Sequence, residues 1–301
     1  DLQALYGVAA KRVVCDAHPG YTTHRWAQRQ GLPVETVWHH DAHASAVAAE
    51  LDREGDWLMF AWDGVGLGRE GTLWGGEALL GRPGDWRRFA SLRPFRLPGG
   101  DKAGREPWRS AAALHWECGR EWTATPDADG VAKAAWDSDL NCPTTSAAGR
   151  LFDAAAAMVC DLPMASFEAQ GPMMLEALCR KSADAIEVPL STGADGVLRT
   201  DWEPMLSMLA DVKMEPALRA ETFHASMATA ILRQAEAARM QHEIAQVGMC
   251  GGVFQNRFLA EQTVELLEKA GFDVYLPRLL PGNDASLSYG QAAELAAREA
   301  E

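Results

Sequence analysis

The 301-residue sequence lacks several features that would assign it to large classes of proteins. No apolar run approaches the roughly 18 residues of a membrane-spanning helix, so we expect a soluble chain with no membrane partner. The chain begins at Asp1 without Met and without a charged-then-apolar signal peptide, so we interpret it as a fragment or a processed product. It has no Ser-His-Asp order, no nucleophile elbow and no cysteine motif, which argues against a nucleophile of its own.

Positive charge is scarce, because 28 Lys and Arg residues face 42 Asp and Glu residues for a net charge of −14. Such a surface repels phosphate backbones, so we do not expect nucleic acid as a partner. The six cysteines form no C-x-x-C pair, and their density is far below that of disulfide-rich domains. We therefore expect reduced, buried thiols in a cytoplasmic protein.

Short apolar runs alternate with helical patterns in both halves, which predicts an α/β fold with two lobes. We predict strands at 12–15, 34–37, 57–62, 72–80, 89–95, 246–250 and 272–276. We predict helices at 22–30, 39–51, 106–118, 145–160, 166–182, 201–211, 216–243 and 256–270, and a last one from 284. Residues 119–143 show little periodicity, so we place a boundary there, with a first lobe at 1–143 and a second at 144–301.

The sharpest local feature is His39-His40-Asp41-Ala42-His43, which holds three of the eight histidines of the chain. His39 and His43 are four residues apart, so on a helix they share a face and can reach one metal ion. The alternative is the polar start of a solvated helix, with His40 or Asp41 as its cap.

Two carboxylates are candidates for the same site. Asp63 follows a strongly apolar strand and precedes a glycine-rich stretch, a common position for binding an ion or a phosphate. An ordinary turn after a strand is the alternative. Asp284 follows Asn283 at a loop-to-helix junction, where simple N-capping is the alternative.

A third feature is the turn Gly251-Gly252, which joins a predicted strand to a helix that begins near Asn256. Backbone N–H groups at such a turn can hold a phosphate, although a tight strand-to-helix connection is an equal interpretation. We expect this turn to line a nucleotide pocket across a cleft from the metal.

Weaker signals come from charged residues in or next to glycine-rich or apolar segments. Gly149-Arg150-Leu151-Phe152-Asp153 places a charged pair, Arg150 and Asp153, in an apolar helix, which could also be a surface stripe. Glu168 is near a helix start and could be a first-turn acid. Lys102 and Arg105 lie in a glycine-rich loop and are our candidate catalytic cations, with a solvated loop as the alternative.

In this order the motifs resemble the C-terminal transferase domain of the NiFe-hydrogenase maturation carbamoyltransferases, the HypF family. The resemblance spans nearly the whole chain apart from 119–143 and about 185–240. The segments that carry it are CDAHPGY (15–21), VWHHDAH (37–43), DGVGLGREGTLWGGEALLG (63–81), RPFRLPGGDKAGREPWR (93–109), TTSAAGRLFDAAAA (144–157), SFEAQGPMMLEAL (166–178), GGVFQNRFL (251–259) and LPRLLPGNDASLSYGQA (276–292).

The resemblance implies a two-lobed actin-like, sugar-kinase-like (ASKHA) fold with a nucleotide and metal cleft. A further β segment with a phosphate loop is expected before Asp1, so the first lobe is expected to lack its N-terminal part. The implied ligands of an iron or zinc ion are His39, His43, Asp63 and Asp284. The implied contacts of the ATP or AMP moiety are Gly149, Asp153, Glu168, Gly251, Gly252 and Asn256. Ala169 departs from the family pattern YEGQA, in which a glycine follows the glutamate.

The implied reaction moves the carbamoyl group of carbamoyl-adenylate, made from carbamoyl phosphate and ATP, to the C-terminal cysteine thiol of the partner HypE. The product is the precursor of a cyanide ligand. Three alternatives stay open at this point: an O-carbamoyltransferase acting on a small-molecule hydroxyl, a tRNA threonylcarbamoyl transferase-like protein, and a catalytically silent binding module. The acidic charge and the segment GGDKAGREPWR argue against the tRNA enzyme.

Overall fold

The computed structural model describes residues 2–122, 126, 127 and 129–300. Its strands are β1 (Val13–Asp16), β2 (Val34–Val37), β3 (Trp57–Leu67), β4 (Leu73–Arg82), β5 (Asp85–Leu92), β6 (Phe95–Arg96), β7 (Thr144–Thr145), β8 (Leu190–Thr192), β9 (Leu198–Thr200), β10 (Gln246–Cys250) and β11 (Asp273–Tyr275). Its α-helices are α1 (Leu2–Tyr6), α2 (Thr22–Ala27), α3 (His39–Leu51), α4 (Pro107–Glu117), α5 (Val131–Asp137), α6 (Ala148–Val159), α7 (Gln170–Leu178), α8 (Glu203–Leu209), α9 (Pro216–His242), α10 (Arg257–Lys269) and α11 (Leu287–Ala300). Short 3₁₀ helices cover Gly100–Gly104, Gly252–Gln255 and Asp284–Ser286.

The large sheet is mixed, with strand order β11-β10-β3-β4-β5-β9-β8, and β6 and β7 attach beside β4. β10 runs parallel to β3, whereas β4 and β5 continue from β3 as an antiparallel meander. β1 and β2 form a separate parallel pair. The predicted α/β class is confirmed. Strands from both sides of residue 143 share the large sheet, and the proposed boundary there stays a prediction.

Strand β3 is buried on both faces at the centre of the sheet. Successive side chains of a strand point to opposite faces, so Phe60 and Trp62 join the core that contains α6 and α9, and Trp57 and Met59 pack with α3. All four side chains are almost fully buried. This two-sided burial explains why residues 57–62 are continuously apolar rather than alternating.

The sequence predicted that this strand ends before Asp63, and the structure corrects that expectation. β3 continues to Leu67, but its pairing with β4 jumps from Trp62–Gly76 to Gly66–Trp74. The interval is two residues longer on β3 than on β4, so the extra residues form a bulge. A bulge re-aims side chains, and here it includes Asp63.

Glycines let neighbouring elements close on this bulge. A Cβ at Gly75 would lie 2.7 Å from the Asp63 carbonyl oxygen, and a Cβ at Gly149 would lie 3.0 Å from the same atom. Gly149 therefore has an observed packing role, because it allows the first turn of α6 to contact β3. The buried carboxylate of Glu77 accepts N–H bonds from Gly75 and Gly76 and fixes the start of β4.

Helix α11 brings the loop that precedes it next to α3. A Cβ at Gly290 would lie 1.9 Å from the carbonyl oxygen of Ala42, so the two helices touch through backbone at this point. The loop is also held on its other side, because the N–H of Gly251 donates to the carbonyl of Gly282 at 2.7 Å. Asp284 is consequently fixed between α3 and the turn after β10.

The segment with little periodicity, 119–143, contains helix α5, while residues 123–125 and 128 lie outside the described part of the chain. Trp136 of α5 packs against Trp116, and the guanidinium of Arg96 lies 3.7 Å from the Trp136 ring centroid. Helix α5 thus attaches to the core through one aromatic anchor, which a search for periodic apolar residues does not detect.

The structure also bears on the cysteines and on the apolar character of the helices. Each of the six cysteines is free, which confirms the prediction that they are unpaired. Four of them are buried as predicted, whereas Cys118 and Cys160 are partly exposed. Across the described ranges, none of the helices combines the length and the apolar character needed to cross a membrane.

Ala169, the departure from the family pattern, adopts the left-handed conformation with φ +59°. That conformation is strained for alanine and free for glycine. We expect Ala169→Gly to raise the free energy of unfolding by about 0.5–1 kcal/mol, because relief of strain exceeds the entropy cost of glycine. Urea denaturation measures this.

The control is Ala292→Gly, at an exposed position inside α11. There the same substitution should lower the free energy of unfolding by about 1 kcal/mol, since the alanine is already helical. Destabilisation by both substitutions would contradict the strain at Ala169.

Candidate metal centre and adjoining cleft

Four predicted side chains, from three distant parts of the sequence, meet at one point. The Nε2 atom of His39 lies 3.1 Å from Asp63 Oδ2 and 3.7 Å from Asp284 Oδ1. The Nε2 atom of His43 lies 3.5 Å and 3.3 Å from the same two oxygens. One donor atom from each residue falls within 4.8 Å of the others, so the four could surround a single ion.

Asp16, at the end of β1, belongs to this cluster although the sequence reasoning did not include it as a site residue. Its Oδ2 lies 2.9 Å from His39 Nδ1. A carboxylate on the far nitrogen fixes the ring and directs the Nε2 lone pair to the cluster, as in many metal-binding histidines. The segment CDAHPGY places Asp16 at a strand end, which is a signal for a site residue. The residue that Asp16 contacts, His39, is 23 positions further along the chain, so the sequence alone does not pair them.

Charge around the two histidines is strongly coupled. Burial lowers the pKa of His39, but contacts with Asp16 and Asp63 outweigh it and raise that pKa to about 10. His43 is also buried, and Asp284 and Asp63 raise its pKa. Burial raises the pKa of Asp63, but the two imidazoles hold it well below its ordinary value. The carboxylates thus favour positive charge here, which a divalent cation can supply in place of protons.

The middle histidine of the motif does not join the cluster. Both ring nitrogens of His40 are buried without a hydrogen-bond partner among the described residues, and its ring lies 6.0 Å from that of Trp74. Burial, followed by the charge of His39, holds its pKa well below the ordinary value. A Cβ at Gly66 would lie 2.6 Å from the rings of both His39 and His40, so a glycine is required opposite them.

The donor set fits a divalent metal ion. His43 Nε2 is buried and makes no aligned hydrogen bond in the described structure, although it faces two carboxylates. Two imidazoles and two carboxylates suit a borderline ion such as zinc or iron better than a thiolate-preferring one. The Asp284 side chain is 66% exposed, which leaves one side of the cluster accessible.

The glycine turn after β10 lies directly beside this cluster, and not across a cleft from it as we had expected. The N–H of Gly252 donates to Asp63 Oδ1 at 3.3 Å. Gly251 has φ +94°, and a Cβ there would lie 2.1 Å from the carbonyl oxygen of Trp62. The same carboxylate therefore contacts both imidazoles and the turn.

Asn256 has a structural role in the described contacts. Its Oδ1 accepts the N–H of Leu259 at 2.9 Å as the N-cap of α10, and its Nδ2 donates to His224 Nε2 at 2.8 Å. His224 Nδ1 lies 2.8 Å from the carbonyl of Ala220, and burial lowers the His224 pKa to about 4, so the ring is neutral. The proposed nucleotide contact of Asn256 stays a prediction.

The remaining predicted residues lie in different environments. Asp153 is buried, and burial raises its pKa to about 6 although Arg150 opposes the shift. Glu168 is exposed just before α7, and Lys102 and Arg105 are exposed in and after the 3₁₀ helix 100–104. Within the residues that the structure describes, these three side chains do not reach the metal cluster, and their proposed roles stay predictions.

Comparison with known proteins agrees with the resemblance of the motifs. Residues 59–291 match the family model described as carbamoyltransferase, Kae1-like domain, second subdomain, and residues 1–50 match the HypF Kae1-like domain. A carbamoyltransferase HypF homolog of Cupriavidus necator is 38% identical over 300 residues, covering 93% of this chain and 76% of the relative. Carbamoyltransferase HypF of Synechocystis is 35% identical over 324 residues, covering 99% of this chain but 42% of the relative.

Solved structures give the same result for the fold. Full-length HypF in the phosphate- and nucleotide-bound form has a TM-score of 0.92 at 28% identity, covering 99% of this chain and 40% of that one. HypF of T. kodakarensis has a TM-score of 0.85 at 25% identity, covering 99% of this chain and 42% of that one. The predicted α/β fold of the actin-like class is confirmed.

We expect the chain to bind one Zn²⁺ ion, measured by calorimetry in metal-free buffer. His43→Ala removes a ligand and should abolish measurable binding. Asp16→Asn should keep the stoichiometry and weaken the affinity about 10- to 100-fold, because it only loosens the orientation of His39.

The matched control is Asp201→Asn, which alters a half-buried carboxylate paired with Arg93 away from the cluster. Its Zn²⁺ affinity should equal that of the unaltered chain. Wild-type affinity in His43→Ala would refute the metal centre, and wild-type affinity in Asp16→Asn would refute its supporting role.

Proposed function

Because the chain belongs to the HypF family, we propose that it carries the carbamoyl-transfer site of a hydrogenase-maturation enzyme that works in the cytoplasm. The chain spans less than half the length of the Synechocystis relative, so the proposal concerns this site and not every activity of the longer proteins. The substrate we propose is carbamoyl-adenylate, a mixed anhydride made from carbamoyl phosphate and ATP outside the described residues.

One observation supports this function above the others: Asp63 contacts the two cluster histidines and the Gly251-Gly252 turn at the same time. Gly251 and Gly252 have no side chain, so a ligand can approach the backbone of this turn closely. A group held at the turn would therefore lie next to the metal position. A carbamoyl phosphate anhydride requires that neighbourhood, because its carbonyl and its phosphate are joined by one oxygen.

Each part of the site would have a separate task. His39, His43, Asp63 and Asp284 would hold iron or zinc, which when bound polarises a carbonyl or phosphate oxygen. Asp16 holds the far nitrogen of the His39 ring and so keeps the ring oriented. The N-terminus of α6 contributes the positive end of its helix dipole near the Asp63 bulge, which favours an anionic ligand.

The attacking thiol would come from a partner and not from this chain. Burial raises the pKa of every cysteine: about 11 for Cys118, about 12 for Cys179, well above the ordinary value for Cys250, and in the same direction for Cys15, Cys142 and Cys160. Protonated thiols are poor nucleophiles. We propose that the acceptor is the C-terminal cysteine of HypE, which would enter on the exposed side at Asp284.

The alternatives differ in the acceptor. Transfer to a small-molecule hydroxyl would need a base close to the cluster, and the chain's net charge of −14 does not suit a tRNA acceptor. Both alternatives predict that intact HypE stays unlabelled, so one assay separates them from our proposal.

The assay supplies carbamoyl-adenylate to the chain together with intact HypE or HypE without its terminal cysteine, and reads both by intact mass. We expect one carbamoyl group on intact HypE alone, because only that protein offers the thiol. His43→Ala should reduce the labelling at least about 100-fold if the metal stabilises the transition state. Equal labelling of both HypE forms would contradict the proposal, as would transfer to added tRNA.

A further inference from the structure

Arg150, in the first turn of α6, is a mostly buried cation without a full set of partners. Its side chain is 15% exposed, and its Nη1 lies 3.0 Å from Asp153 Oδ2, one turn further along the helix. Its Nε is buried and has no hydrogen-bond partner in the described part of the chain. A guanidinium carries five N–H donors, so one carboxylate oxygen leaves most of them without an acceptor.

The rest of the guanidinium faces glycines. A Cβ at Gly64 would lie 3.6 Å from Arg150 Nη2, and a Cβ at Gly104 would lie 3.5 Å from Nη1. Gly64 directly follows Asp63 in the bulge of β3, and Gly104 ends the 3₁₀ helix of the glycine-rich loop. The guanidinium therefore lies beside both the bulge of β3 and that loop, and these two neighbours have no side chain to cover its N–H edge.

The ion pair with Asp153 does not complete the site. Asp153 Oδ2 is itself buried without an aligned hydrogen bond, although Arg150 is within 3.0 Å. Burying charged groups with incomplete hydrogen bonding is costly, so a structural role would require better-satisfied partners. Arg219 also has a buried Nε without a partner in the described structure, but its Nη1 donates to the carbonyls of Met158 and Leu209, whereas Arg150 Nη1 faces the single carboxylate of Asp153.

We propose that Arg150 is the centre of an anion subsite that binds the phosphate group of the adenylate. The planar guanidinium can hold two phosphate oxygens at once, which an ammonium group cannot do with the same geometry. Gly64 and Gly104 leave space for such a ligand to approach the backbone. The identification of the phosphate as that of an adenylate rests on the proposed function.

The subsite also gives the bound nucleotide an orientation. Because Arg150 lies beside Gly64, a phosphate on Arg150 would be bound one residue away from Asp63, whose carboxylate contacts the metal cluster. The anhydride carbonyl would then point to the cluster and the adenosine away from it. Arg150 would stabilise the negative charge that develops on the departing AMP as the bond between carbonyl carbon and phosphate oxygen breaks.

The test compares AMP, adenosine and inorganic phosphate as ligands in calorimetric titrations. Removing Arg150 alone would leave the buried carboxylate of Asp153 without a cation, so the chain could misfold for that reason. We therefore compare Asp153→Asn with the double variant Arg150→Met/Asp153→Asn, in which the whole charge pair is absent. Thermal unfolding of both variants verifies that they are folded.

We expect the additional Arg150→Met change to weaken AMP about 10- to 100-fold, as for loss of charge-assisted hydrogen bonds, and to leave adenosine affinity unchanged. Arg150→Lys in the otherwise unaltered chain should give a smaller loss, because it keeps the charge but not the paired geometry. The matched control is Arg199→Met on β9. Arg199 is similarly covered, with 18% of its side chain exposed and a carboxylate partner at Asp195, and its removal should not change AMP affinity.

The outcomes separate the two levels of the proposal. Equal weakening of AMP and adenosine, or no weakening of AMP, adenosine or inorganic phosphate, overturns the anion subsite while leaving the proposed function standing. A wild-type chain that binds neither AMP nor adenosine overturns the proposed function and the subsite with it. Loss of inorganic phosphate binding with AMP unchanged supports an anion subsite, but assigns it to a free or acyl phosphate instead of a nucleotide.

Discussion

The carboxylate of Asp63 contacts two segments that are far apart in the sequence. It lies 3.1 Å and 3.5 Å from the imidazoles of His39 and His43 on α3, and it accepts the N–H of Gly252 from the turn after β10. The backbone around it is equally constrained, because Gly149 closes on its carbonyl oxygen. A change at this one position would therefore disturb the metal cluster, the glycine turn and the start of α6 together.

The central sheet makes this constraint possible. β3 is covered on both faces, so the bulge that holds Asp63 begins from a strand that cannot shift without exposing buried aromatic side chains. Asp284 lies on the exposed side of the metal cluster, and Arg150 lies beside Gly64, the residue that follows Asp63. Carboxylates gathered in this way repel a phosphate unless a cation balances them, which links metal and nucleotide binding by simple electrostatics.

Much of the framework was predictable from local pattern. The apolar run 57–62 and the long helix α9 followed from periodicity and length. His39 and Asp284 stood out because each begins a helix, and Asp63 because it directly follows the apolar run. The family resemblance also holds, since a family model matches residues 59–291. These features depend on segments of a few residues, which sequence alone describes well.

What the sequence did not predict depends on pairing between distant segments. Whether Asp63 ends a strand or occupies a bulge is decided by the register of β4, and nothing local to Asp63 encodes that register. Asp16 reaches His39 only after β1 has packed near α3, and Gly252 reaches Asp63 only because β10 adds parallel to β3. Arg150 could equally have been part of a surface stripe until the glycines beside it were located in space.

The most direct test of this account is AMP affinity measured with and without saturating Zn²⁺, in the unaltered chain and in Asp63→Asn. If Asp63 joins the metal centre to the nucleotide cleft, Zn²⁺ should strengthen AMP binding about tenfold or more in the unaltered chain. In Asp63→Asn the affinity for AMP should be the same with and without Zn²⁺, because the side chain that contacts both sites is altered. This variant also controls for Zn²⁺ that binds directly to AMP. AMP affinity that does not depend on Zn²⁺ in the unaltered chain would contradict the account.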